Sequence, residues 1–282
     1  MTYELLSFGF MQRALAASLI IGALCAVIGV FVILRGLSFI GAGTSHSAFA
    51  GVAFGYLTGL SPFVMAVAFG LGTVWIVHAL YQRGIMKLDA SIGIFYTFTM
   101  ALAILFLGLM GTYNAEVYGY LFGSVLSVTR GDLIAIAWLA GGVLTLVALF
   151  YKEFHFITFD PEMAEATGIA SKRLFFLLLN LIALTVVVAL KTVGALLVFA
   201  LIVIPAAAAY QIGRTMLGMM GYAVVLGVGS SVGGVLISYR LDVPSGATIV
   251  LVATAVFFAA AAFSPKRRRL RTAPPRPTPS SA

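Results

Sequence analysis

Nine stretches of about 20 mostly apolar residues follow one another along this 282-residue chain. Each is long enough to carry a helix across a hydrocarbon core about 30 Å thick. They lie near residues 14–34, 39–60, 62–82, 91–111, 133–151, 174–190, 192–212, 217–239 and 245–263. Runs of this length predict an all-α, polytopic transmembrane helix bundle of about nine spans. They exclude an outer-membrane barrel, whose strands alternate over about ten residues. The expected organisation is a transmembrane domain over 1–263 and a basic, Pro-rich tail over 264–282, which reads as disordered and drawn to an anionic inner leaflet. With 62% hydrophobic and only 9% charged residues, the chain fits neither a soluble globule nor a disordered segment. One cysteine, Cys25, excludes a disulfide scaffold.

The net charge of +8 is a topology signal, and no nucleic-acid partner is expected from it. Cytoplasmic loops of membrane proteins carry the excess Lys and Arg. With the N-terminus outside and the C-terminus inside, 13 of the 17 cations fall on the inner side, among them Arg35, Arg83, Lys87, Lys152, Lys172, Arg173 and Arg214. Arg13, Arg130, Lys191 and Arg240 remain outside. The reverse topology inverts that bias. The first apolar run lacks a small-residue cleavage site and reads as a span. Residues 118–129 are apolar but too short to cross, which suggests an interfacial or re-entrant helix in an outer loop. Lys191 alone separates the sixth and seventh runs.

The polar residues narrow the function. None of the five lysines follows a glycine, so no P-loop is present, and the metalloprotease, C-x-x-C and nucleophile-elbow motifs are missing too. An enzyme is not expected, nor a permanently bound cofactor. All nine acids lie in or beside predicted loops, whereas proton-coupled carriers usually hold an acid within a span. His46 is the one titratable side chain clearly inside a span, in Gly41-Ala-Gly-Thr-Ser-His-Ser-Ala-Phe-Ala-Gly51. The small neighbours allow close helix approach, and Gly51, Gly55 and Gly59 continue a small-residue stripe. His46 is either a soft nitrogen ligand on a metal path or a buried histidine hydrogen-bonded to a neighbouring helix. His78 reads as an interface residue and His155 as a solvated loop residue.

The inner loop 152–173 contains a second local signal. Asp160 suits an N-cap, Pro161 the first helical position, Glu162 the positive helix end and Gly168 a left-handed stop. The spacing predicts a two-turn helix over about 161–167, too short to stand alone. It either rests on its own protein or serves as a docking knob for a cytosolic partner. Pro205, flanked by alanines in the seventh run, predicts a kink that suits a moving pore-lining helix or an inert bundle equally well.

In order along the chain, Leu34-Arg-Gly-Leu-Ser-Phe-Ile-Gly, Ser45-His46, Gly51-Val-Ala, Ser91-Ile-Gly-Ile, Tyr120-Leu-Phe-Gly-Ser, Phe159 through Gly168, Val193-Gly-Ala-Leu-Leu-Val, Ile204-Pro-Ala-Ala and Ser238 through Thr248 resemble the membrane-spanning permease of ATP-binding-cassette importers for manganese, zinc or iron. The resemblance covers about residues 14–263. It implies a cytoplasmic-membrane permease that moves a divalent metal ion, zinc or manganese, in a bacterium or archaeon. Its implied partners are two cytosolic ATPase chains, which alone handle ATP, an extracytoplasmic metal-binding protein, a second copy of the chain and membrane lipid. It also implies a metal path at His46 with Thr44 and Ser45, and an ATPase-coupling helix built from Asp160, Pro161, Glu162, Ala164, Glu165 and Gly168. Many such permeases are similar in carrying an Asp four residues before this histidine, but here that position is Ala42. The missing acid tilts the metal slightly toward zinc, since imidazole suits zinc and carboxylate suits manganese. A stand-alone secondary carrier and a permease for metal chelates of the siderophore or vitamin type are the alternatives.

Overall fold

The computed structural model describes residues 8–111, 115–123 and 125–264. Its elements, in chain order, are α1 (Gly9–Leu34), α2 (Ile40–Thr58), α3 (Pro62–Gln82), α4 (Leu88–Met110), α5 (Ala115–Phe122), a 3-10 turn (Val125–Ser127), α6 (Arg130–Leu149), α7 (Tyr151–Phe159), α8 (Pro161–Ala166), α9 (Ser171–Val193), α10 (Ala195–Ile212), α11 (Met216–Leu241) and α12 (Ser245–Ala262). The described residues are all-helical, without a strand. Eight of these helices are long and apolar enough to cross a membrane. The long helix outside that group is α2, the expected second span, because glycines, hydroxyls and His46 dilute its apolar content.

Two groups of helices meet on α9. On one side α2 packs against α3 and α4. On the other, α1, α10, α11 and α12 pack on one another. Helices α1 and α9 are largely buried, while α3, α4, α6 and α12 are mostly exposed. Their outward faces carry Trp138, Ile104, Leu105 and Leu251, the apolar surface that a bundle offers to lipid tails.

Lipid is as apolar as leucine, so close packing rather than water exclusion draws such helices together. Glycines supply it here. A Cβ at Gly29 would run into the backbone carbonyl of Ile202, joining α1 to α10. One at Gly51 would strike Met65 O, and one at Gly55 would lie 2.7 Å from Pro62 Cα. The stripe Gly51–Gly55 is therefore the seam between α2 and α3, and Gly59 ends α2 with a left-handed φ of 74°.

Local capping sets the remaining ends. Thr129 and Asp132 form a reciprocal capping box at the start of α6. Thr215 Oγ1 accepts the Gly218 amide at 3.1 Å to start α11. The boundary expected at Lys191 falls instead at Gly194, whose φ of 81° and ψ of 160° break the chain between α9 and α10. Lys191 stays in the last turn of α9, where its ammonium lies 2.6 Å from Asp132 Oδ1. A charge inside the helix was tolerable because this partner meets it there. Residues 152–159, expected as loop, belong to α7, with Phe154 and Ile157 buried at helical spacing. Among the described residues, the segment 118–129, expected in an outer loop, holds the end of α5, the 3-10 turn and the Thr129 cap. Val125 and Val128 are buried in the core, and Gly123 is seated on the backbone of Val193 and Gly194. Of the expected tail, Ser264 is described, its hydroxyl donating to Gln211 O at 3.0 Å. Residues 265–282 lie outside the described residues.

Replacing Gly29 with valine should force α1 and α10 apart and destabilise the bundle by about 1–3 kcal/mol. Gly72→Ala is the control, because nothing lies within 4 Å of its Cβ position. Thermal unfolding in detergent should fall for Gly29→Val and stay level or rise slightly for Gly72→Ala.

Candidate metal path and docking helix

Residues three and four apart share a helix face. Phe39, Ala42, Ser45 and His46 follow that spacing, and all four line one cavity of about 800 Å³. Its other walls are the first half of α4 (Asp89, Ala90, Ile92, Gly93, Tyr96 and Thr97) and the start of α10 (Ala195, Leu196 and Phe199). The ring of Tyr96 stands edge-on to the His46 imidazole, with centroids 4.8 Å apart. His46 Nδ1 is enclosed without a hydrogen-bond partner. Among the described residues, no hydrogen bond links His46 to a neighbouring helix.

The neighbours of His46 divide between two faces. Ser45 is buried in the cavity wall, its hydroxyl donating to Ala42 O at 3.0 Å. Thr44 turns the other way, toward Thr73, Val74 and Val77. Ala42 opens into the cavity one turn before His46, so an acid there would have faced the same space.

The carboxylate of this cavity is Asp89, which was read from the sequence as a loop acid. It lies in the first turn of α4, seven residues before Tyr96. Two helical turns separate them, about 10 Å along the axis. The spacing of Asp89, Gly93 and Tyr96 was the available signal for a shared face. Imidazole and carboxylate thus occupy successive levels of one opening. Among the described residues, no group of three or more His, Cys, Asp or Glu could hold a metal ion. The cavity offers sparse contact rather than a closed cage, and sparse contact permits an ion to leave.

His78 packs against Phe176 with ring centroids 4.9 Å apart, away from this cavity. His155 is exposed on α7 between Tyr151 and Phe159. Pro205 is buried inside α10 and faces Gly227 of α11. Its ring removes the bond to Leu201 O within a helix that otherwise continues.

The acidic helix is specified at both ends. Asp160 Oδ1 accepts the Met163 amide at 2.9 Å, Pro161 takes the first helical position and Glu162 the first turn. At the other end the Gly168 amide donates to Glu165 O and the Ile169 amide to Ala164 O, at 3.1 and 3.0 Å. This double bond pattern, with Gly168 at φ 87°, is a Schellman stop. The element α8 therefore ends at Ala166, one residue short of the expected bound. Ala164 is fully buried against the bundle, while Phe159 and Met163 are exposed. Ser171 Oγ donates to Pro161 O at 3.0 Å and pins the helix to the start of α9. One side of α8 thus rests on its own protein, through Ala164 and Ser171, while Phe159 and Met163 face outward.

The model of the ABC 3 transport family matches residues 7–264. The manganese transport system membrane protein MntC of Halalkalibacterium halodurans is 40% identical over 265 residues, covering 94% of this chain and 90% of that protein. The manganese import system permease protein ScaB of Streptococcus gordonii is 33% identical, covering 94% and 95%. Among solved structures, PsaBC from Streptococcus pneumoniae in complex with Fab is similar with a TM-score of 0.85 and 32% identity, covering 96% of this chain and 99% of that one.

Replacing Asp160 with alanine should remove about 1 kcal/mol of capping from α8. Amide exchange over residues 161–166 should accelerate severalfold while thermal unfolding of the bundle stays unchanged. Unaltered exchange would show that Ser171 and Ala164 alone hold the helix.

Proposed function

The chain belongs to the ABC 3 transport family, and from that premise we propose that it is the permease through which an importer moves manganese across the cytoplasmic membrane. The observation that carries the proposal is the cavity shared by His46 and Asp89. It presents one nitrogen and one carboxylate at successive depths of a bundle otherwise poor in charge. The relatives' manganese names support manganese over zinc, and Asp89 adds the oxygen ligand that Ala42 withholds.

An extracytoplasmic protein captures the ion, so the permease itself does not bind it tightly. The cation, shedding water, meets the His46 imidazole and the Ser45 hydroxyl, and then Asp89 nearer the cytoplasmic end of α4. Each contact is weak enough to release it. The cavity opens on a face where Phe39 and Leu196 are exposed, which supports closure of the path by a second copy of the chain. Pro205 gives α10 a point at which it can bend as access switches. The chain has no P-loop, so hydrolysis belongs to cytosolic ATPase partners. These dock on α8, where exposed Phe159 and Met163 supply apolar contact and Glu162 and Glu165 supply charge.

A His46→Ala variant should assemble normally and lose manganese uptake by tenfold or more, and Asp89→Asn should slow uptake by about tenfold. Uptake by cells co-expressing the ATPase, with zinc as competitor, reads both. Normal uptake by His46→Ala would return that residue to packing. Replacing Glu162 and Glu165 together with lysines should weaken ATPase co-purification without lowering thermal stability, and unchanged co-purification would remove α8 as the docking element.

A further inference from the structure

The turn between α1 and α2 contains an arginine that the transport path does not use. Arg35 caps α1 within a second Schellman stop. The Gly36 amide donates to Ile33 O at 3.2 Å and the Leu37 amide to Val32 O at 2.8 Å. Leu37 is buried, and its carbonyl accepts the Ile40 amide at 2.9 Å as α2 begins. The backbone at Arg35 is thus held on both sides, and His46 follows 11 residues later on α2.

The side chain reaches across to the docking region. Arg35 Nη1 donates to Ile157 O in the last turn of α7, at 2.8 Å. That carbonyl has no partner of its own for a definite reason. The residue four places on is Pro161, which has no N–H, and the Asp160 amide donates instead to Phe156 O. The proline that starts α8 therefore leaves the acceptor that Arg35 fills. The guanidinium also lies over the Phe175 ring of α9, 4.6 Å from its centroid. Burial lowers the Arg35 pKa, but a guanidinium stays charged and suits the negative end of α7.

We propose that Arg35 is the positioning residue that ties the docking helix α8 to the helix that carries His46. Movement of α8 on its ATPase shifts the end of α7. The fork of Arg35, fixed between Ile157 O and Phe175, passes that shift through the rigid turn Gly36–Leu37 into α2. This role rests on the reading of α8 as the ATPase dock. It goes beyond that reading by naming the connection between hydrolysis and the metal path.

The test uses the full complex of this chain with its ATPase and delivery protein, reconstituted into phosphatidylethanolamine and phosphatidylglycerol vesicles. Manganese entry and phosphate release are measured together. Arg35→Met keeps the apolar stem and removes the donors. It should retain ATPase binding and hydrolysis but lower manganese moved per ATP by about tenfold. A purely structural role would reduce both rates together and leave that ratio unchanged, which would overturn the proposal. Should Arg35→Met fail to assemble, Arg35→Lys decides. Its single ammonium cannot span both Ile157 O and Phe175 as the fork does, so a lowered ratio supports the role and a wild-type ratio overturns it. A wild-type complex that moves no manganese on ATP would overturn the transport reading, and this role with it.

Discussion

Helices in a bilayer cannot rely on water to press them together, and every backbone amide must find its partner within the segment. Contact between bare backbones is what remains, and this bundle obtains it at a few glycines. Gly29 meets Ile202, Gly51 meets Met65, and Gly234 lies so that a Cβ would be 2.6 Å from Ile249 Cα. These contacts fix which helices are neighbours. The Gly51 contact also sets how far α2, the helix that carries His46, stands from α3. His46 is held in place here by side chains that are missing.

The same economy governs charge. Lys191 and Asp132 neutralise each other where α9 meets α6, and Arg35 is spent on a carbonyl and a ring. The His46 cavity is left with one carboxylate, Asp89. On the proposed path an ion would meet little to hold it, which is the condition for conduction rather than storage. Specificity then rests on which ion is delivered and on the balance of nitrogen and oxygen it encounters.

What was legible in the sequence was whatever is local. Long apolar runs gave the helical bundle. The Asp160, Pro161 and Gly168 pattern gave α8 to within a residue, because caps act over three or four positions. Failures came where the deciding partner is distant in sequence. Lys191 looked like a boundary because its partner is Asp132, far away in the chain. Helix α7 was missed because its burial depends on α1, whose Phe31 meets Phe154 edge-on at 5.7 Å. Ser45 and Thr44 looked equivalent beside His46, yet one residue turns a helix by about 100° and sends them to different faces. Asp89 passed as a loop acid because nothing local shows that α4 turns it toward α2. The Arg35 contact to Ile157 bridges 122 positions, and no spacing rule reaches that far.

Helix α2 carries His46, yet it is the long helix that falls outside the group apolar enough to cross a membrane. Glycines, hydroxyls and an imidazole make its own transfer from water to lipid weak, and the neighbouring α3 is strongly apolar. During synthesis α2 therefore enters the bilayer best as one arm of a hairpin with α3, joined through the short turn at Gly59 and sealed along the Gly51–Gly55 seam. The glycines that let the two helices touch in the finished protein also bear on its biogenesis. A change on that seam acts first as a defect of membrane insertion, before any ion is moved.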